Sequence, residues 1–295
     1  MLNIYDYIAN SKYYKTYRVD DLLLVEYKCM IPEDRVAFWT HTNYFAYILS
    51  GEATYYLGDQ VYVVERGRAM FVRKGAYVAQ QHRKGDYCAL IFFLPDDFIQ
   101  HVTSKYPNLS QGKPRRAASM DDGVFSIPVD DSLTAFFHSV LSYFPNDTEP
   151  SEQLLKLKFE ELLLNIMTNQ QNPDLATYLA GIRENGKVSI RDVMERSFMY
   201  PMSLDEYARL CARSLSTFKT DFQAAYNMSP GKWLIRARLQ FARTLLETTN
   251  DTVTEIATKS GFRNTAHFVK VFKEAYGAPP LQYRLREISM SVMES

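Results

Sequence analysis

Cysteine is scarce in this 295-residue chain, with only Cys29, Cys88 and Cys211, far apart and odd in number. There is no CxxC pair and no cluster of metal ligands around any of them. That excludes a disulfide framework and a cysteine-based metal centre, and leaves reduced, buried thiols as the expectation. Long apolar runs are missing as well. Ala89–Pro95 and Leu162–Leu164 fall far short of the roughly 20 residues that span a bilayer. Met1–Tyr17 is broken by Asn3, Asp6, Asn10 and Lys12, which is unlike a secretory leader. A cytoplasmic protein without membrane association is therefore expected. No glycine-rich phosphate loop and no nucleophile motif occurs, so no cofactor is expected.

Nor is there an excess of either charge: 34 Lys and Arg balance 34 Asp and Glu. The balance hides an asymmetry. Residues 186–295 hold 16 basic against 11 acidic side chains, whereas residues 1–185 hold 18 against 23. A basic C-terminal module on an acidic N-terminal one suits a polyanion-binding domain joined to a regulatory domain. The length alone suggests about two domains.

What the N-terminal part does contain is short, aromatic-rich strand patterns between about Leu22 and Phe98. Tyr44–Leu49, Thr54–Leu57, Gln60–Val64, Ala69–Val72 and Tyr87–Leu94 are punctuated by Ser50-Gly51, Gly58-Asp59, Arg66-Gly67 and Lys74-Gly75. This spacing predicts an antiparallel barrel or sandwich. Ser104–Asp131 reads as loop. In Ser151–Asn169, Ser151 can cap a helix whose Leu155, Phe159, Leu162 and Ile166 keep a 4-3-4 spacing. That stripe suits either a helix lying on the barrel or a homodimer seam. The interdomain linker is placed near Glu184–Val188, ahead of a short helix, Ile190–Phe198.

The last hundred or so residues repeat one design. Ser203 and Glu206 form a capping box for a short helix, and Arg213-Ser214 turns into Ser216–Tyr226, where Phe218 and Phe222 lie four apart. The second copy has Thr252, then Ile256 and Ala257, the turn Ser260-Gly261-Phe262, the cap Asn264, and Phe268 and Phe272. Between them runs Gly231–Thr248, an 18-residue helix about 27 Å long at 1.5 Å per residue. The run from Gly261-Phe262 through Asn264, Phe268, Phe272-Lys273, Gly277 and Pro280 to Tyr283-Arg284 resembles the AraC/XylS family signature. Ser229-Pro230, Trp233-Leu234, Arg238-Leu239, Ala242 and Leu245-Leu246 resemble that family's linker helix. The resemblance is strong over about Met202–Arg286 and loose elsewhere.

It implies a sequence-specific transcription regulator, an activator rather than an enzyme, that binds double-stranded DNA and contacts RNA polymerase. Its base-reading positions fall on Ser216, Lys219 and Thr220, and on Thr265, Ala266, His267 and Lys270. Lysine can donate to guanine O6 and N7, hydroxyls serve several bases, and Ala266 can touch a thymine methyl. Many members carry Arg where Thr220 stands, which weakens base reading there. Arg238, Arg263, Asn264 with the amides behind it, Lys273 and Arg284 suit phosphates.

The fold class expected is α+β in two domains: a cupin-like β-barrel followed by helices (residues 1–184), then an all-α domain with two helix-turn-helix units (188–295). The resemblance also implies control through the barrel, by a small-molecule effector or a protein anti-activator. Trp39, His41, Tyr55, Arg73 and His82 are the candidate pocket walls; the alternative is a barrel filled by its own aromatics. A cupin-fold enzyme with a helical tail is the competing reading. It suffers because metal-dependent cupins present paired histidines, whereas His41 and His82 stand alone, so no metal is expected. An architectural DNA binder is a third reading.

Overall fold

The structure, a computed structural model, describes residues 2–28, 35–57, 60–82, 87–107, 123–145, 149–168, 173–185 and 189–285. The chain divides into two compact units, Leu2–Val188 and Ser189–Ser295. Among the described residues no helix is long and apolar enough to cross a membrane.

The first unit pairs its described strands into two sheets. One runs β1 (Leu2–Asn3), β4 (Arg35–Thr40), β9 (Gly75–His82), β6 (Glu52–Leu57), β7 (Gln60–Glu65). The other runs β11 (Val124–Ile127), β8 (Ala69–Val72), β5 (Asn43–Ser50), β10 (Cys88–Leu94), β3 (Leu22–Lys28), β2 (Thr16–Val19). The five expected strand runs correspond to β5, β6, β7, β8 and β10. Between the sheets lie Leu23, Val25, Tyr44, Ala46, Ile91 and Phe93 from the second and Phe38, Tyr55 and Tyr77 from the first. The outer face of the second sheet is covered in turn. Leu24, Phe45, Phe71, Leu90 and Phe92 pack beneath α2 (Asp96–Lys105), α3 (Asp131–Leu141), α4 (Glu152–Thr168) and α5 (Pro173–Asn185). Burial on both sides is why β10 is apolar at every position instead of alternating.

Two expectations change here. Ser104–Asp131 is not all loop, because the end of α2 and strand β11 fall within it, with β11 pairing antiparallel to β8 from Val124 opposite Val72 to Ile127 opposite Ala69. The expected linker overlaps α5, which continues to Asn185; Gly186–Val188 lie outside the described residues.

The second unit is helical among its described residues: α6 (Ile190–Ser197), α7 (Leu204–Leu210), α8 (Leu215–Tyr226), α9 (Pro230–Thr248), α10 (Val253–Lys259) and α11 (Thr265–Tyr276). Its halves match at a nearly constant offset. Ser203 and Thr252 close full capping boxes on α7 and α10. Positive φ at Ala212 and Gly261 turns the chain into Ser214 and Asn264, whose side chains cap α8 and α11. Asn227 and Gly277 end those helices in the left-handed conformation.

The capping boxes give a direct test. The backbone N–H and the hydroxyl of Thr252 hold the Glu255 carboxyl below the usual carboxylate range. A folded value below the unfolded one means that this stabilisation is present at neutral pH and fades as pH falls through the Glu255 value. Thr252→Ala is expected to cost about 0.5–2 kcal/mol, and Glu255→Gln to flatten that part of the acid-side melting profile. Thermal melts at neutral and acidic pH check both.

Candidate DNA interface

In α8 and α11 the phenylalanine pairs set the orientation. Phe218 and Phe222, and Phe268 and Phe272, are fully buried, with ring centroids 5.7 and 5.5 Å apart. Residues on the opposite side must then face outward. On α8 these are Ser216, Thr217, Lys219, Thr220 and Gln223; on α11 they are Ala266, His267, Lys270 and Lys273. Thr265 and Val269 are half-buried. Neither Lys219 nor Lys270 enters an ion pair with another described residue, so both ammonium groups face solvent. The first helix is weakly charged and hydroxyl-rich, whereas the second presents two lysines and a histidine.

Some predicted hydroxyls are already engaged. Thr220 Oγ1 donates to the Ser216 carbonyl at 3.2 Å, and Ser216 Oγ lies 3.0 Å from Ser214 Oγ. Asn264 Oδ1 accepts from the His267 amide at 3.1 Å, which fixes it as a helix cap.

The arginines expected at phosphates have other partners. Arg238 donates from Nε to the Phe198 carbonyl at 2.7 Å and from Nη2 to the Tyr200 carbonyl at 2.8 Å. Arg263 donates from Nε and Nη2 to the Pro201 carbonyl. Arg284 donates from Nε to the Leu246 carbonyl at 3.1 Å, and its Nη2 is buried. These three side chains close on backbone carbonyls of the domain, Arg263 while still exposed, because fork-shaped donors satisfy carbonyls left over at helix ends and turns. Of the predicted phosphate set, Lys273 has its side chain exposed and uncommitted.

The predicted dimer seam is also revised. Leu155, Phe159, Leu162 and Ile166 are all within 5% of complete burial in the first unit's own core. The 4-3-4 stripe is used against the sheet, with Phe159 edge-on to Phe92 and Phe98. The exposed apolar side chains of α4 are Leu154 and Leu157, at 40% and 61%.

Among the described residues, the candidate pocket side chains have separate surroundings and do not converge on one cavity. Tyr55 lies between the sheets against Phe38. Arg73 stacks over the Tyr178 ring at 4.3 Å. His41 meets Tyr5 edge-on at 5.0 Å and Asn3 at 3.3 Å, with buried Trp39 beside it. The His82 side chain lies outside the described residues. A surface cleft of about 490 Å³ is lined by Asp6, Tyr7, Asn10, Ser11, Lys12 and Tyr13, none of them expected from sequence. Among the described residues no group of three His, Cys, Asp or Glu is arranged to hold a metal ion.

Two family models match the chain: the ExsA N-terminal regulatory domain over residues 43–178 and a helix-turn-helix domain over 207–286. The virulence regulon transcriptional activator VirF of Yersinia enterocolitica is 25% identical over 243 residues, which cover 82% of this chain and 89% of VirF. The regulator ExsA of Pseudomonas aeruginosa is 25% identical over 237 residues, 80% of this chain and 84% of ExsA. Together with the doubled motif, these matches decide the family. The chain belongs to the AraC/XylS family of transcription regulators. A crystal structure of ToxT from Vibrio cholerae overlays on 90% of this chain and 98% of its own, at 14% identity and a TM-score of 0.43.

As an AraC-family member the protein is a DNA-binding transcription regulator, and the competing enzyme reading falls away. Superposing the halves of this regulator by sequence offset pairs two more outward residues of the first half with residues of the second. Thr217 stands where the second half has His267, and Gln223 where it has Lys273. Both are exposed on α8 beside Lys219 and Thr220.

Proposed function

We propose that this AraC-family regulator is a transcription activator whose single chain reads two adjacent half-sites of double-stranded DNA. The observation that carries the reading is the repetition of one N-capped helix, buried through a Phe pair and presenting polar and basic side chains outward. Such a helix fits a major groove roughly 12 Å wide, and a second copy on the same chain supplies a reader for the next groove, about 34 Å along the duplex. Ser216, Thr217, Lys219, Thr220 and Gln223 read one half-site; Thr265, Ala266, His267 and Lys270 read the other, with Lys273 on phosphate. VirF, by its name an activator, supports the direction of control.

The first unit acts as the regulatory part. It responds to a small molecule or to a protein anti-activator, and it masks or frees the DNA-binding unit, which when bound contacts RNA polymerase. The aromatic side chains that fill the space between its sheets favour a protein at the surface over an enclosed ligand. Homodimerisation runs through the outward face of α4, where Leu154 and Leu157 lie three residues apart. The protein works in the cytoplasm.

Selection of sites from a random duplex library, with full-length protein at physiological salt, tests this. Two sequence blocks about one helical turn apart are expected. Retention of bulk DNA with no enriched motif, in the presence and absence of cell extract, would sink the two-headed reading in favour of an architectural binder.

A further inference from the structure

The segment Ser197–Pro201, from the last residue of α6 towards α7, is gripped from three directions at successive carbonyls. Tyr207 on α7 donates its hydroxyl to the Ser197 carbonyl at 2.8 Å. Arg238, in the middle of α9, takes the carbonyls of Phe198 and Tyr200. Gly261, in the turn of the second helix-turn-helix, leaves no room for a side chain: a Cβ there would sit 2.6 Å from the Met199 carbonyl oxygen and 3.0 Å from Arg238 Nε. Arg263, two residues further on, closes both Nε and Nη2 on the Pro201 carbonyl. Burial pushes the Tyr207 phenol up to about 12, so it stays a donor throughout the physiological range.

The ends of this clamp matter. Pro201 stands two residues before Ser203, the cap that starts the first helix-turn-helix. Arg263 stands one residue before Asn264, the cap that starts the second recognition helix. The linking helix supplies the middle grip. A covalent connection through α9 alone would leave the two halves free to twist about it; the clamp adds a second connection between them.

We propose that Arg263, with Arg238 and Gly261, is a positioning residue that sets the distance and rotation between the two recognition helices, and thereby the half-site spacing the protein accepts. The inference rests on the two-headed reading above. It predicts an unusual split: loss of the clamp relaxes spacing without altering what each half-site prefers in sequence.

The test measures binding of full-length wild type, Arg263→Ala and Arg263→Lys to duplexes carrying both selected blocks at the selected spacing, at one base pair more or less, and with either block scrambled. Wild type is expected to lose about tenfold or more in affinity when the spacing changes. Both variants are expected to bind the three spacings within about twofold of one another, with an unchanged penalty for scrambling a block. Lysine fails to rescue because one ammonium cannot reproduce the fork. Arg263 is exposed, so both variants should fold, and a thermal melt verifies it. If Arg263→Ala instead weakens all duplexes alike, lowers the salt slope by about one and is rescued by lysine, the residue is a phosphate contact and the inference is wrong. Unchanged spacing discrimination in the variants also overturns it. A wild type that ignores spacing brings down the two-headed reading itself, and the clamp's role with it.

Discussion

Lys219→Ala combined with Lys270→Ala is expected to abolish selective DNA binding while leaving bulk DNA binding largely in place. Each lysine projects from the exposed side of a recognition helix, opposite a phenylalanine pair that prevents the helix from rolling. A lysine contact to a guanine edge contributes on the order of 1–3 kcal/mol of discrimination, so two in separate half-sites amount to roughly 2–6 kcal/mol, or about 30-fold to more than 10⁴ in affinity. Each single variant should relax one half of the motif and leave the other readable. Competition binding with specific and scrambled duplexes, repeated at several salt concentrations, separates the two effects. A uniform loss on both duplexes would mean that the lysines touch phosphate and that hydroxyls carry the base reading.

The second large effect lies in α4. Phe159→Ala is expected to destabilise the first unit by about 3–5 kcal/mol, because the ring is fully buried between Phe92 and Phe98 and its loss leaves a cavity the sheet cannot close. Against a total stability of about 5–15 kcal/mol that is enough to make the unit melt early. Leu154→Gln with Leu157→Gln should do the opposite. Both side chains are exposed, so melting shifts by no more than about 0.5 kcal/mol each, yet self-association measured by sedimentation should fall. If the glutamine pair leaves the association constant unchanged, the dimer is built elsewhere.

These two helical faces show where sequence and structure part company. The stripe Leu155, Phe159, Leu162, Ile166 is equally consistent with packing on a sheet and with a seam between copies, since both need an apolar side at the same period. Only the position of the second sheet settled it. The arginines behave in the same way. Arg238, Arg263 and Arg284 are basic residues in a basic domain, and nothing local distinguishes a guanidinium facing phosphate from one closing on a carbonyl across 38 or 62 residues of chain. Helix α2, strand β11 and the double burial of β10 were hidden for a related reason. Their hydrophobic patterns reflect partners supplied from distant parts of the chain, so neither a period of two nor a period of 3.6 stands out.

By itself the sequence determined the doubled helix-turn-helix, its caps and turns, the Phe pairs and the outward residues between them. Those features depend on residues within a few positions of each other, where capping geometry and helical spacing leave little freedom. The tertiary structure alone decided which apolar stripe is core, which cations are held in the domain and how the two helix-turn-helix halves are tied. Each of those depends on what a side chain meets across the fold, and a donor or an apolar face looks the same in sequence whatever partner it finds.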